Sequence, residues 1–279
     1  MTYMNSKKIL DKKYNFLRPI QNENLVRLGQ KMDGGYVVDS NIIKNCNTLI
    51  SFGLGEYSEG YEPWSFELDL IKNNSKILVS VYDHSVNDST YIKKIWKYLR
   101  RLITFRSSLE SVKIRLKNYL EYRKFINLTN IKFYKEKITH KIKNNNDSDI
   151  TKVFSRIISN SEIILKCDIE GSEYAIIDNL LEYSNKIQML IIEFHWIDKE
   201  ENKFIESVKK LKKDFEIIHI HANNHFQTLE NGLPIIIEMT LINKKLIVNK
   251  GKFVNNFPIK DLDFPNNPLL KDINFSFED

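Results

Sequence analysis

Along the 279-residue chain, short runs rich in Ile, Val, Leu and aromatic residues recur at 48–53, 76–83, 131–138, 162–169, 188–196, 215–221 and 235–242. Runs this apolar describe strands covered on both faces rather than the one-sided alternation of a solvated sheet. Between most of them lie stretches of helical periodicity, at 61–71, 150–158, 172–183 and 199–212. The alternation predicts an α/β fold: a seven-stranded, mostly parallel sheet with helices on both faces. No period of about 20 to 50 residues repeats, which removes solenoids and propellers.

Three segments depart from this pattern. Residues 1–24 read as an N-terminal extension, ahead of an expected catalytic domain over 25–245. That domain opens on a hairpin in which Asp33, Gly34 and Gly35 supply the turn, because glycine tolerates positive φ. Residues 87–128 are too long for a crossover between neighbouring parallel strands and form a helical insertion. Its eleven Lys and Arg far outnumber its acidic residues. Ile92, Ile95, Trp96, Leu99, Leu102 and Ile103 follow helical spacing, and this stripe is expected to pack on the body or on a second subunit. Residues 246–279, with Pro258, Pro265 and Pro268, read as an irregular tail partly ordered against the body.

Composition narrows the function classes. Cys46 and Cys167 are too few for a disulfide scaffold and lack zinc-ligand spacing. Lysines interrupt the N-terminal stretch, and no run reaches the ~18 apolar residues of a transmembrane helix, so a cytoplasmic protein is expected. The net charge of +6 is modest for a chain this rich in Lys, Asn and Ile, and it is not taken as a sign of nucleic-acid binding.

Open parallel sheets bind ligands beyond the carboxyl ends of their strands. Four features fall there. Gly53-Leu54-Gly55 follows the first run, where two glycines admit close approach of a ligand; no third glycine or Lys-Ser/Thr pair marks a dinucleotide or triphosphate site. Asp83 ends the second run, at a position suited to accept ribose hydroxyls. Asp168, Glu170 and Glu173 crowd the end of the fourth run, a costly grouping unless a cation, an amine or hydrogen-bond donors meet it. The capping preferences of a helix start account for Glu173 but not for the other two. Glu193 and His195, then His219, His221 and His225, lie at or past the ends of the next two runs, which makes a general base expected there. A divalent cation on Asp168, Glu193 and a histidine is the alternative, although no spacing such as HExxH marks one.

The ordered motifs DGGY (33–36), SFGLG (51–55), VYDHS (81–85), KCDIEGSEY (166–174), LIIEFHW (190–196), HIHANN (219–224) and IEMTLINK (237–244) resemble those of the FkbM-type methyltransferases over roughly residues 25–244. The resemblance implies a class I, Rossmann-like fold, S-adenosylmethionine as cofactor, and O-methylation of a small acceptor, a sugar or surface-glycan precursor such as a nucleotide sugar. It places the methionine part over Gly53, Leu54 and Gly55, Asp83 with His84 at the ribose, and Asp168 near the amino group. His195 or His221 is then the expected base, with Glu170 orienting the acceptor or its base. The basic insertion and the short glycine motif depart from the family. Methylation of nucleic acid or protein through a docking insertion, or cofactor binding without catalysis, are the competing readings; peripheral membrane contact and self-association are left open.

Overall fold

Seven strands assemble into one sheet because their side chains alternate between two apolar layers. We label them β1 (Thr48–Phe52), β2 (Leu78–Tyr82), β3 (Ile131–Tyr134), β4 (Ile163–Cys167), β5 (Ile187–Phe194), β6 (Phe215–Ala222) and β7 (Ile237–Asn243). The computed structural model describes residues 8–57, 60–248 and 251–278; residues 1–7 of the expected N-terminal extension and 249–250 of the tail lie outside them. The order is β6-β7-β5-β4-β1-β2-β3, with β7 antiparallel to both neighbours and the other pairs parallel. This is the expected Rossmann-like α/β fold, a seven-stranded, mostly parallel sheet covered by helices on both faces.

Alternation along β4 and β5 makes the layering concrete. Ile163, Leu165, Ile192 and Phe194 join the layer that also holds Val153, Ile177, Leu180 and Phe204. These come from α4 (Ile150–Ser155), α5 (Glu173–Leu181) and α6 (Ile197–Leu211). Ile164, Met189 and Ile191 point the other way, into the layer of Phe66 and Leu70 on α1 (Ser65–Asn73). The hairpin Leu25–Leu28/Tyr36–Asp39 closes that second layer with Leu28, Tyr36 and Val38. Both faces of the sheet are therefore dry, as continuous apolar strands require.

The insertion forms an antiparallel pair, α2 (Asp88–Ile103) and α3 (Leu109–Ile126). Its inner face differs from the expected one. Tyr91, Val112, Asn118, Tyr122 and Phe125 are the buried side chains, and the Trp64 ring stacks on Phe125 at 4.9 Å. Ile92, Trp96 and Ile103 are exposed instead and Ile95, Leu99 and Leu102 half-buried, so the body itself covers only part of that stripe. On α2, Tyr91 lies one residue round from Ile92 and stacks on Tyr122 of α3 at 4.8 Å, and that face wins the contact.

The tail is more ordered than its prolines and asparagines suggested. Phe275–Phe277 pairs in parallel with Lys8–Leu10 and antiparallel with Asn256–Phe257. Phe257, Phe275 and Phe277 are buried in the first apolar layer, which ties both ends of the described chain to the body. No helix among the described residues is long and apolar enough to cross a membrane.

Candidate active site

The carboxyl ends of β1, β2, β4 and β5 frame a cavity of about 590 Å³. Its floor is the turn after β1. Gly53 has φ +79°, and a Cβ there would sit 1.7 Å from the Asp168 carbonyl oxygen, so only glycine lets β1 and β4 close this tightly. The turn is held from two sides. Lys166 donates from Nζ to the Gly53 carbonyl at 2.9 Å, and the Leu54 N–H donates to Asp83 Oδ2 at 2.8 Å.

Asp83 is thus a brace as well as a lining residue. Its other oxygen accepts from the Ser85 N–H, the Ser85 hydroxyl and the Val86 N–H at 2.7, 2.7 and 3.0 Å. With three donors on Oδ1 and one on Oδ2, only the outer side of Oδ2 remains for a ligand hydroxyl. His84 lies exposed at the rim of the same cavity, beside Tyr82, Glu136 and Ile138. Tyr82 stacks on Tyr134 at 4.6 Å, and Arg156 grips Glu136 through both terminal nitrogens at 2.8 and 2.9 Å. That pairing holds the Glu136 carboxyl down at about 2.

At the opposite end stand Asp168, Glu193 and His195. Each has one polar atom secured from behind. The Tyr36 hydroxyl donates to Asp168 Oδ2 at 3.1 Å, Asn223 Nδ2 donates to Glu193 Oε1 at 2.8 Å, and Glu173 Oε1 lies 3.2 Å from His195 Nδ1. The remaining atoms converge: His195 Nε2 is 3.8 Å from Asp168 Oδ1 and 4.0 Å from Glu193 Oε2. All three ligating atoms lie within 4.8 Å of one another, a set that could hold a divalent cation after modest contraction.

Burial and charge shape this end. Desolvation, reinforced by Asp168 and Glu238, pushes the Glu193 carboxyl well above the usual carboxylate range. At His195 burial opposes the charged form, but the Glu173 hydrogen bond and the Asp168 charge outweigh it and raise the imidazole above its ordinary value. Glu170 sits exposed at the mouth with φ 52°, and Trp196, at φ 57°, is the second non-glycine residue here in the left-handed region. Gly171 lies beneath Trp196: an added Cβ would meet its indole at 2.8 Å.

The structure brings Gly53, Leu54, Gly55, Asp83, His84, Asp168, Glu170 and His195 to one cavity. It does not bring His221 there. That ring is buried beneath the tail, with Glu238 at 3.3 Å from Nδ1 and Asp272 at 3.1 Å from Nε2. Burial opposes its charge, but these two bonds carry the pKa up to about 10. An imidazole with both nitrogens occupied and no cavity in front of it cannot serve as the base, which corrects that expectation. His219 is likewise turned toward the tail, 3.0 Å from Asp263.

Sequence reasoning gave Glu173 only a helix-capping part. It is fully buried and accepts from the Gly171 and His195 backbone N–H groups at 2.8 and 2.6 Å. The crowding of carboxylates in DIEGSE was the signal, since a buried carboxylate demands such donors. Tyr36 and Asn223, supplied by the hairpin and the loop after β6, had no role assigned.

No family model matches the chain, and no curated protein does. Among solved structures it is similar to precorrin-6y C5,15-methyltransferase of Geobacter metallireducens GS-15, at 8% identity and TM-score 0.35, over 74% of this chain and 86% of that one. It is also similar to TrmK of M. capricolum bound to S-adenosyl-homocysteine, at 15% identity and TM-score 0.35, over 81% and 72%. A third likeness is to 23S rRNA methyltransferase ErmE, at 11% identity and TM-score 0.35, over 76% and 69%. Likenesses this remote assign neither a ligand nor an acceptor.

Proposed function

We propose that this chain is an S-adenosylmethionine-dependent O-methyltransferase of the FkbM type, acting on a hydroxyl of a small carbohydrate-like acceptor. One observation carries the reading. His195, held by Glu173 at Nδ1, turns a hydrogen-bond-free Nε2 into the same cavity that the Gly53–Gly55 turn floors.

The residues fit the cofactor. A cavity of about 590 Å³ lies in the usual range for small-ligand sites. The slot lined by Tyr82, Ile138 and His84 suits the adenosine part, with the outer side of Asp83 Oδ2 for the ribose. Asp168 is the acidic partner for the amino group, beside the Gly53–Gly55 backbone. When bound, S-adenosylmethionine supplies an electrophilic methyl group on a sulfonium.

The chain's own task is to orient a hydroxyl and remove its proton. With Nδ1–H donated to Glu173, Nε2 carries the lone pair and accepts that proton, while Glu173 stabilises the imidazolium formed. Trp196 and Phe226, 5.3 Å apart edge to face, offer an apolar wall for a sugar ring at the mouth. The carboxyl groups of Asp33, Asp168, Glu170 and Glu193 offer hydrogen bonds to a polyhydroxylated neutral group there, and Asp168 and Glu170 disfavour phosphate, so any nucleotide portion of the acceptor stays outside.

A methyl-transfer screen over nucleotide-activated sugars, glycan fragments, lipids and RNA tests this. Methylation of a sugar hydroxyl is expected, with His195→Ala lowering turnover about 10²–10⁴-fold at unchanged cofactor affinity. Methylation confined to RNA would replace the carbohydrate reading with the nucleic-acid one.

The convergence of Asp168, Glu193 and His195 favours a second reading, in which a divalent cation rather than a free imidazole lowers the acceptor's pKa. Manganese titration followed by electron paramagnetic resonance separates them. Stoichiometric binding lost in Glu193→Gln supports the cation; no binding in an active enzyme leaves His195 as the base.

A further inference from the structure

The insertion leaves the molecule's most conspicuous apolar surface uncovered. Trp96 is 60% exposed, Ile103 77% and Phe105 98%, and Ile92, Leu109 and Leu120 are exposed beside them on the same pair of helices. Soluble monomers rarely display such a concentration without a partner for it. Nor is the tip loose chain. Phe105 takes φ 54° at the turn between α2 and α3, where its N–H donates to the Leu102 carbonyl at 3.0 Å and the Arg106 N–H to the Arg101 carbonyl at 2.7 Å. The turn holds a phenyl ring out into solvent.

The charge around this surface has one sign. Residues 87–128 hold eleven Lys and Arg against Asp88, Glu110 and Glu121. Those acids sit on Arg123, Lys113 and Lys124, and Lys94 is drawn to Glu56 beside the glycine turn. Lys93, Lys97 and Arg100 have no carboxylate partner among the described residues, and together with Trp96 they line a shallow depression along α2. Along one helix, Ile92, Trp96, Leu99 and Ile103 therefore form an apolar stripe flanked on its next face by Lys93, Lys97 and Arg100.

We propose that this helical pair docks the enzyme on an anionic bilayer, with Trp96, Ile103 and Phe105 entering the headgroup boundary and Lys93, Lys97 and Arg100 engaging lipid phosphates. The combination decides among occupants. A second copy would bring like charges face to face. RNA would satisfy the cations and stack on Trp96, but it offers nothing to Ile92, Ile103 or Leu120, whose burial needs an apolar phase. An anionic bilayer meets both demands: aliphatic and aromatic side chains enter the interface while Lys and Arg remain at the phosphates. The root of the pair is close to the cavity, because α2 starts just after the Asp83–Ser85 rim and its Tyr91 hydroxyl accepts the Tyr57 N–H at 3.2 Å. Docking would therefore hold the cavity within about one helix length of a membrane and the acceptors concentrated there.

The test is cosedimentation of the full chain with vesicles of phosphatidylcholine alone and of phosphatidylcholine mixed with phosphatidylglycerol. Partitioning onto the mixed vesicles should exceed that onto the neutral ones by at least about tenfold at low salt and fall as salt rises. Trp96→Ser with Phe105→Ser, and separately Lys93→Glu with Lys97→Glu and Arg100→Glu, should each reduce it by about tenfold or more. All these side chains are at the surface, and unchanged S-adenosylmethionine affinity confirms that each variant is folded. Failure to bind either vesicle overturns the proposal and leaves the methyltransferase reading standing. So does equal binding by the apolar variant, or a gel shift with RNA, or a dimer dissociated by Trp96→Ser, in the absence of vesicle binding.

Discussion

Glu173 Oε1 lies 2.6 Å from the backbone nitrogen of His195 and 3.2 Å from its Nδ1, so one fully buried carboxylate fixes both the place of the imidazole and the side on which it keeps its proton. The two residues stand at the start of α5 and just past the end of β5, elements that the fold sets side by side.

If that contact tunes a base, Glu173→Gln should do two things. It should lower turnover by about 10- to 100-fold while leaving acceptor KM nearly unchanged, since the lost interaction matters most when the imidazolium forms. It should also shift the pH profile. Glu173 helps hold the His195 pKa above its ordinary value, and the base works only when neutral, so wild-type kcat/KM should rise with pH along a limb lying above about 6.5. Removing the charge should slide that limb to lower pH. A profile that keeps its position in Glu173→Gln would separate the carboxylate from the titration.

Asp83 makes a different prediction from the one its position at a strand end suggests. Its four accepted hydrogen bonds join the glycine turn to the loop leading into α2. Asp83→Ala should therefore lower the melting temperature by roughly 5–10 °C, from bonds to a charged acceptor left without one, in addition to weakening the cofactor. Differential scanning fluorimetry without cofactor checks this. A melting point within about 1 °C of wild type would confine Asp83 to ligand binding.

His221 links the tail to pH. Its folded pKa of about 10 lies above the unfolded value of 6.5, so the folded state binds the extra proton between them. The stabilisation is complete below pH ~6.5 and is lost as pH rises toward ~10, on the order of 5 kcal/mol over the window. Asp272 and Glu238 face the ring directly, and Asp263 lies close enough to add to the same field. His221→Gln should give a less stable protein at neutral pH whose unfolding free energy changes less between pH 7 and 10. A parallel pH dependence in wild type and variant would contradict the assignment.

The sheet was legible because strands buried on both faces admit few polar residues, and β1, β4 and β5 read as near-continuous apolar runs. The same rule exposed the site. Asp168, Glu193 and His195 are polar residues at strand ends, where a parallel sheet gathers its ligands. What escaped came from segments distant in sequence. Tyr36 reaches Asp168 from the N-terminal hairpin, and nothing local announces it. His219 and His221 looked equivalent to His195 because strand alternation sets the direction of a side chain but not what covers it; Asp263 and Asp272 of the tail do that. On α2 two stripes one residue apart, Tyr91–Ile95–Tyr98–Leu102 and Ile92–Trp96–Leu99–Ile103, compete for one face. Periodicity alone does not choose between them, and the Tyr122 ring of α3, stacked on Tyr91 at 4.8 Å, does.

The most direct test of the central claim is calorimetric titration of S-adenosylmethionine into the full chain. Binding at one site per chain is expected, retained in His195→Ala, whose side chain addresses the acceptor, and weakened in Asp168→Ala, by about 1.5–3 kcal/mol for a charged hydrogen bond. Absence of binding to the wild-type protein, or an affinity untouched by Asp168→Ala, would contradict it.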